Sequence, residues 1–172
     1  MFELLQVFSY ILLIMRIFLI VVTFSLSTLV SFLYAQQNQN NAEVSLNKLI
    51  DQWHLDAAKP NFFRYFEVTT DDFIFLGTAP GERWNKTQFK QFAKPYFDAG
   101  KAWDFKPSNR NWVFSENQKI AWFDEDLATW MNSCRGSGVF VKEGKNWKLA
   151  YYNLTVLIEN EKIQEFIKLR QN

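Results

Sequence analysis

The sequence predicts an α+β fold in which helices come first and a curved antiparallel sheet follows. Three observations carry that expectation. Apolar residues recur at helical spacing over 45–59 and again from Thr87 to Phe97. Between residues 109 and 158 lie long candidate strands joined by short polar turns such as Glu116-Asn117-Gln118 and Glu143-Gly144-Lys145-Asn146. Aromatic residues make up 18% of the 172, with 18 Phe and 7 Trp, enough to fill a core and still line an interior space. Helices followed by such strands specify α+β. The natural packing wraps the sheet around the first helix as a cone-shaped barrel with a hollow.

The first 43 residues are of a different material. Before Glu43 the only charged side chains are Glu3 and Arg16, and none occurs from Ile17 to Ala35. A helix of roughly 20 apolar residues spans a bilayer core. Arg16, the run Ile17–Val30 and the zone Ser31–Ala35 have the order of an export signal, and Ala35 suits the position before a cut. If the cut is not made, the same segment is a membrane anchor. Residues 1–14 add a second apolar stretch with an acid, which fits a true start at Met15; the alternative is a long, atypical leader. Residues 36–43, rich in Gln and Asn, are expected to be a polar spacer. Residues 44–160 form the folded domain.

Within it, residues 45–59 read as a helix with Leu46, Leu49, Ile50, Trp53 and Ala57 on one face. Ser45 is the expected N-cap and Pro60 the stop. Asn61 opens a short helix, 62–66. Asp71-Asp72 leads into an apolar strand, 73–77, then a loop marked by Pro80-Gly81. The next helix carries Phe89, Phe92, Ala93, Tyr96 and Phe97, with Pro95 expected to kink it or end its regular part and Gly100 to stop it. Expected strands are 102–106, 109–115, 119–130, 133–143 and 147–158. Residues 161–172 hold a final short helix.

Charge and composition exclude several functions. With 19 basic and 18 acidic residues the net charge is +1, without the basic excess of a nucleic-acid binder. Cys134 is the one cysteine, so no internal disulfide forms, and its expected place is the core. One histidine with one cysteine makes no zinc set. No metal or cofactor is expected. Arg135-Gly136-Ser137-Gly138 lacks the spacing of a phosphate loop, and its glycines read as bends in a curved strand.

In six stretches the chain resembles the SnoaL-like domains of the nuclear transport factor 2-like superfamily. They are Trp53-His54-Leu55-Asp56-Ala57-Ala58, Phe75 through Trp84, Phe89 through Phe97, Ala121-Trp122-Phe123-Asp124-Glu125, Arg135-Gly136-Ser137-Gly138-Val139 and Trp147-Lys148-Leu149. The resemblance covers about residues 44–160. It implies a cone with an aromatic-lined pocket, and homodimers that pair open sheet faces. It does not fix an activity, because the superfamily includes isomerases, dehydratases, cyclases and adaptors.

Candidate site residues follow from strand parity and burial. Alternation puts Ala121, Phe123, Glu125 and Leu127 on one face, so Glu125 is a carboxylate among apolar neighbours. Arg135 on the next strand is the expected cation to answer it, as part of a site or as a structural pair. His54 on the first helix is either a general base or a boundary histidine bonded to the sheet. Trp147, Leu149, Tyr151 and Asn153 share a face, which makes Tyr151 and Asn153 polar groups on an aromatic wall. Asp71-Asp72 reads as a solvated loop, and Glu82-Arg83-Trp84 as a rim or a plug at the mouth of the cone. The expected ligand-binding set is Trp53, His54, Phe123, Glu125, Arg135, Tyr151 and Asn153, with Glu125 and His54 as the catalytic candidates.

The leading expectation is an exported domain that binds a small apolar or aromatic molecule, acts as a homodimer and touches a membrane only through an uncleaved N-terminal segment. The alternative is a cofactor-independent isomerase, dehydratase or lyase, with Glu125 or His54 as base and Tyr151 or Asn153 as donor to a developing oxyanion. That version requires Glu125, His54 and Tyr151 to face one interior. The third reading is a structural or adaptor dimer.

Overall fold

The computed structural model describes residues 2–171, with side chains from Met15 onward except that of Ile17. The expected start at Met15 concerns residues 1–14, whose side chains lie outside that set. Helix α1 (Phe2–Ala58) is followed by α2 (Phe62–Glu67), β1 (Thr69–Leu76), β2 (Arg83–Asn85), α3 (Lys86–Asp98), β3 (Lys106–Phe114), β4 (Ile120–Thr129), β5 (Asn132–Glu143), β6 (Asn146–Val156), a short 3₁₀ turn (Asn160–Lys162) and α4 (Ile163–Leu169). The chain divides between Ala42 and Glu43 into two compact units.

The first unit is helical, and residues 18–35 are exposed along their whole length. Its few hydroxyls bond back to the helix itself: Thr23 to the Ile20 carbonyl at 2.9 Å, Ser25 to Val21 at 2.8 Å and Ser31 to Ser27 at 2.9 Å. Such bonds satisfy polar groups without water. Among the described residues this is the one helix long and apolar enough to cross a membrane, a test that a signal sequence passes equally. The Gln/Asn stretch is helical too, with Gln37 Nε2 donating to Asn41 Oδ1 one turn on at 3.1 Å. Ser45 therefore lies inside α1 and is not its N-cap.

In the second unit α1 buries Leu46, Ile50, Trp53 and Ala57, and Leu49 sits at the edge of that face. Asn61 caps α2 by accepting from the Arg64 amide at 3.2 Å. Asn85 and Gln88 form a reciprocal capping box at the start of α3. Pro95 does not end α3, which continues to Asp98. The stop is Gly100, at φ +68°: its amide bonds to the Phe97 carbonyl and that of Lys101 to Tyr96, at 3.1 and 3.0 Å.

One open, curved sheet runs in the order β2-β1-β6-β5-β4-β3. Strands β3 to β6 form the expected antiparallel meander. Strand β1 joins β6 in parallel, which makes the sheet mixed, and β2 pairs β1 at the edge where a loop was expected. Residues 101–105 are irregular and not a strand. Asp71 and Asp72 are exposed inside β1 and not in a loop.

Two irregularities decide which side chains face inward. In β6 the register moves between Val139↔Tyr151 and Phe140↔Leu149, leaving Ala150 as the extra residue. Trp147 and Leu149 are buried before it, Tyr152 and Leu154 after it. In β3 the pairs Ser108↔Asp126 and Asn111↔Asp124 leave Asn109 and Arg110 together opposite Glu125. Asn109 sits at φ +49°, a left-handed conformation that asparagine tolerates.

Candidate functional site

Strand β4 buries Ala121, Phe123, Glu125 and Leu127, as alternation predicts. Glu125 is completely inaccessible, and its carboxylate is bonded on both oxygens. Oε1 lies 2.7 Å from His54 Nε2 and accepts from Tyr152 Oη at 3.0 Å. An ionised carboxylate only accepts, so His54 Nε2 is the donor in this contact. Oε2 takes two bonds from Arg110, Nε at 2.9 Å and Nη2 at 2.7 Å. Arg110 is itself held by α1, with Nη1 on Asn47 Oδ1 at 2.9 Å and Nη2 on Asp51 Oδ1 at 2.8 Å. Trp112 Nε1 shares the Asn47 oxygen at 2.9 Å.

Burial works to raise the Glu125 carboxyl. The hydrogen bond and charge of His54, then the charge and hydrogen bond of Arg110, outweigh it, so the group sits below its ordinary value. Tyr152 moves the opposite way: burial first, then the adjacent Glu125 charge, push its phenol well up. The cluster is thus an ionised carboxylate gripped by donors. Gly136, paired with Glu125 on β5, leaves the room, since a Cβ there would strike Tyr152 Oη and lie 3.0 Å from Glu125 Oε1.

Of the expected residues, Trp53, His54, Phe123 and Glu125 converge. Trp53 packs on Tyr152 with centroids 4.7 Å apart, and Phe123 lies 6.3 Å from the same ring. The other three do not join them. Arg135 pairs with Asp126 at 3.6 Å and is half exposed, because Asp126↔Arg135 is a register pair on the outer face. Tyr151 and Asn153 are turned out of the core by the bulge at Ala150. Donor chemistry assigned to Tyr151 therefore fails, and Tyr152 occupies the inward place. Arg110 was missed although it shares a parity with Trp112 and Phe114, which marks it as a cation on an aromatic face.

No opening reaches the Glu125 oxygens. A cleft of about 520 Å³ lies beyond Phe75, whose ring stacks on Tyr152 at 5.8 Å and 22°. Its walls are a set of nearly parallel rings. Phe75 and Phe89 are 4.0 Å apart at 12°, Trp84 and Phe92 4.4 Å at 21°, and Phe89 and Trp103 5.9 Å at 28°. Glu82, Lys101 and Asp104 are its charged lining groups, and Trp130 and Met131 from the β4–β5 turn line it as well. Trp84 is thus a wall of the cleft. A second groove of about 390 Å³, lined by Trp53, Asp56, Arg64 and Trp147 among others, is more polar. Cys134 is buried.

The fold recurs in solved structures. An NTF2-like protein of unknown function from Pseudomonas putida KT2440 is 11% identical over 72% of this chain and 92% of its own, with a TM-score of 0.59. A candidate scytalone dehydratase from Novosphingobium aromaticivorans DSM 12444 is 11% identical over 71% and 89%, at 0.59. An uncharacterised protein with a cystatin-like fold from Caulobacter vibrioides is 13% identical over 73% and 95%, at 0.57. At such identity the likeness is one of fold. No curated protein matches the chain. The sequence pattern of the SnoaL-like domain matches residues 46–159, spanning both the carboxylate cluster and the aromatic cleft. Its fold is that of the NTF2-like structures, and by its sequence the chain belongs to the SnoaL-like domain family.

Proposed function

We propose that the domain binds a small, largely apolar, ring-bearing molecule in the cleft between Trp84, Phe89 and Trp103. The observation that carries this reading is the set of near-parallel rings around about 520 Å³ of space. Ring stacking favours planar apolar guests, and a volume of this size suits one small molecule. Residues 17–35 would deliver the domain across a membrane or hold it there. A second copy would pack on the outer sheet face, where Val113 and Trp122 are partly exposed register neighbours.

The test is binding of naphthalene to the full chain in amphipol, read by tryptophan fluorescence, with Trp84→Ala as background. Saturable binding weakened about tenfold by the substitution is expected, the size of a lost aromatic anchor. Equal signals from the two proteins would defeat the reading.

Proton-transfer chemistry at Glu125 is the second reading, favoured by the buried Glu125–His54–Tyr152 contacts. It ranks behind binding because a base needs a free lone pair facing substrate. Both oxygens of Glu125 are engaged, and the Phe75 ring layer separates them from the cleft. Activity lost in Glu125→Gln but kept in Trp84→Ala would reverse that order.

A further inference from the structure

Among the described residues, two buried side-chain polar atoms have no hydrogen-bond partner, Tyr65 Oη and Thr70 Oγ1. Tyr65 is the more costly case. It is completely inaccessible, and an unpaired buried hydroxyl carries a desolvation penalty that native structures rarely tolerate without reason. Its ring cannot swing out to water. Trp53 stacks on it at 4.6 Å and 15°, and donates Nε1 to the Tyr65 carbonyl at 3.0 Å. Phe97 closes one flank at 5.2 Å.

The Tyr65 ring lies directly behind two residues of the aromatic cleft's wall. Phe89 stands 6.2 Å from the Tyr65 ring, and Trp103 meets it edge-on at 5.7 Å and 75°. Both line the cleft. Burial drives the phenol's pKa well up, and donation from the Trp103 side chain toward the hydroxyl oxygen is the one influence acting against that. An indole N–H only donates, so an approach by Trp103 leaves the Tyr65 proton ungiven. Trp103 is half-buried and sits on residues 101–105, which belong to no helix or strand. Turning it aside breaks no ladder.

We propose that Tyr65 is a specificity-determining residue of the aromatic cleft, donating its hydroxyl proton, once Trp103 turns aside, to a hydrogen-bond acceptor at the inner end of a ring ligand. The inference rests on the binding reading above and adds a chemical requirement to it: a carbonyl, ether or ring nitrogen at the buried end. The free protein stores an unmet donor, and the correct ligand satisfies it. A plain hydrocarbon of the same shape leaves it unmet.

The test compares 2-acetylnaphthalene with 2-ethylnaphthalene, on the full chain in amphipol, in wild type and Tyr65→Phe. The substitution should weaken 2-acetylnaphthalene about fivefold, as one net hydrogen bond does, and leave 2-ethylnaphthalene unchanged. In ligand-free protein it should raise Tm by about 2–4 °C, because it deletes an unpaired buried hydroxyl. A purely structural Tyr65 would give a lower Tm and no discrimination between the probes. Equal binding of both probes to wild type and variant overturns the role of Tyr65 while sparing the cleft. Failure of both probes to bind wild type overturns the cleft reading and this inference with it.

Discussion

His54 Nε2 lies 2.7 Å from Glu125 Oε1, a contact between α1 and the middle of the sheet made across 71 positions of sequence. Around it Arg110 and Tyr152 complete a polar knot that is almost entirely closed to solvent. Such knots contribute less by their net energy than by the penalty for breaking them, since each member is buried on the condition that the others are present. Helix, β3, β4 and β6 are held in one register by it.

Arg110 should therefore be worth far more to stability than Arg135. Arg110→Met removes two bonds to Glu125 and strands a buried carboxylate, at a cost of about 3 kcal/mol. Arg135→Met breaks a half-exposed pair at 3.6 Å and should cost under about 0.5 kcal/mol. Urea unfolding of both variants measures the difference, and equal midpoints would refute the assignment of Arg110 as the partner.

The Glu125 knot should also set the acid limb of stability. Its folded pKa lies below the ordinary value of 4.5, so its contribution is complete above that pH. As pH falls below 4.5 the unfolded chain takes up the proton first, and the contribution is lost progressively as pH falls through the folded pKa. Glu125→Gln should be less stable than wild type at pH 7, with the gap closing as pH falls below 4.5 and through the lowered folded pKa. Denaturation series at several pH values read this directly. A gap that stays constant on acidification would mean that Glu125 is not held ionised.

The inward turn of Glu125 was legible because β4 is regular: Ala121, Phe123, Glu125 and Leu127 keep one parity from end to end. The α+β class and the antiparallel meander were legible for the same reason, long strands with short polar turns. Parity failed where a strand contains an extra residue. Ala150 shifts β6 by one, and because Tyr151 and Tyr152 are adjacent and chemically alike, the sequence cannot tell which of them faces inward. Arg110 is brought opposite Glu125 by a bulge at Asn109, while Arg135 follows the regular ladder to the outer face. The parallel pairing of β1 with β6 is a long-range choice with no local pattern. The cleft escaped notice because its walls come from β1, β2, α3 and the 101–105 segment, separate stretches that only the fold assembles.

Two tyrosines should resist alkaline titration. Burial raises the phenols of Tyr65 and Tyr152 well above 10.0, and Glu125 adds to the effect at Tyr152. Raised folded pKa values contribute stability that is complete below pH 10 and is lost as pH climbs from there through the folded values. Of the six tyrosines, these two should ionise only together with unfolding. Absorbance at the phenolate band, followed alongside circular dichroism, tests this. If all six titrate in one smooth step before the fold is lost, Tyr65 and Tyr152 are not sealed as described.

Gly136 should be intolerant of any side chain. It is paired with Glu125 in the β4–β5 ladder, and a methyl group there would run into Tyr152 Oη and press on Glu125 Oε1. The flexible end of a side chain could move away, but this hydroxyl is tied to the carboxylate that Arg110 and His54 also hold, so yielding breaks the knot. Gly136→Ala is expected to cost about 1–3 kcal/mol, the range of overpacking a dense core. Gly144 is the control. It sits in the β5–β6 turn at φ +61° with open space around its missing Cβ, so alanine there meets backbone strain of about 1 kcal/mol and no clash. Combining Gly136→Ala with Tyr152→Phe separates the two effects, because deleting the hydroxyl removes the obstacle. The double variant should then lose less than the sum of the single losses by at least about 1 kcal/mol. Strict additivity in denaturant unfolding would show that Gly136 is needed for the bend of β5 and not for the space around Glu125.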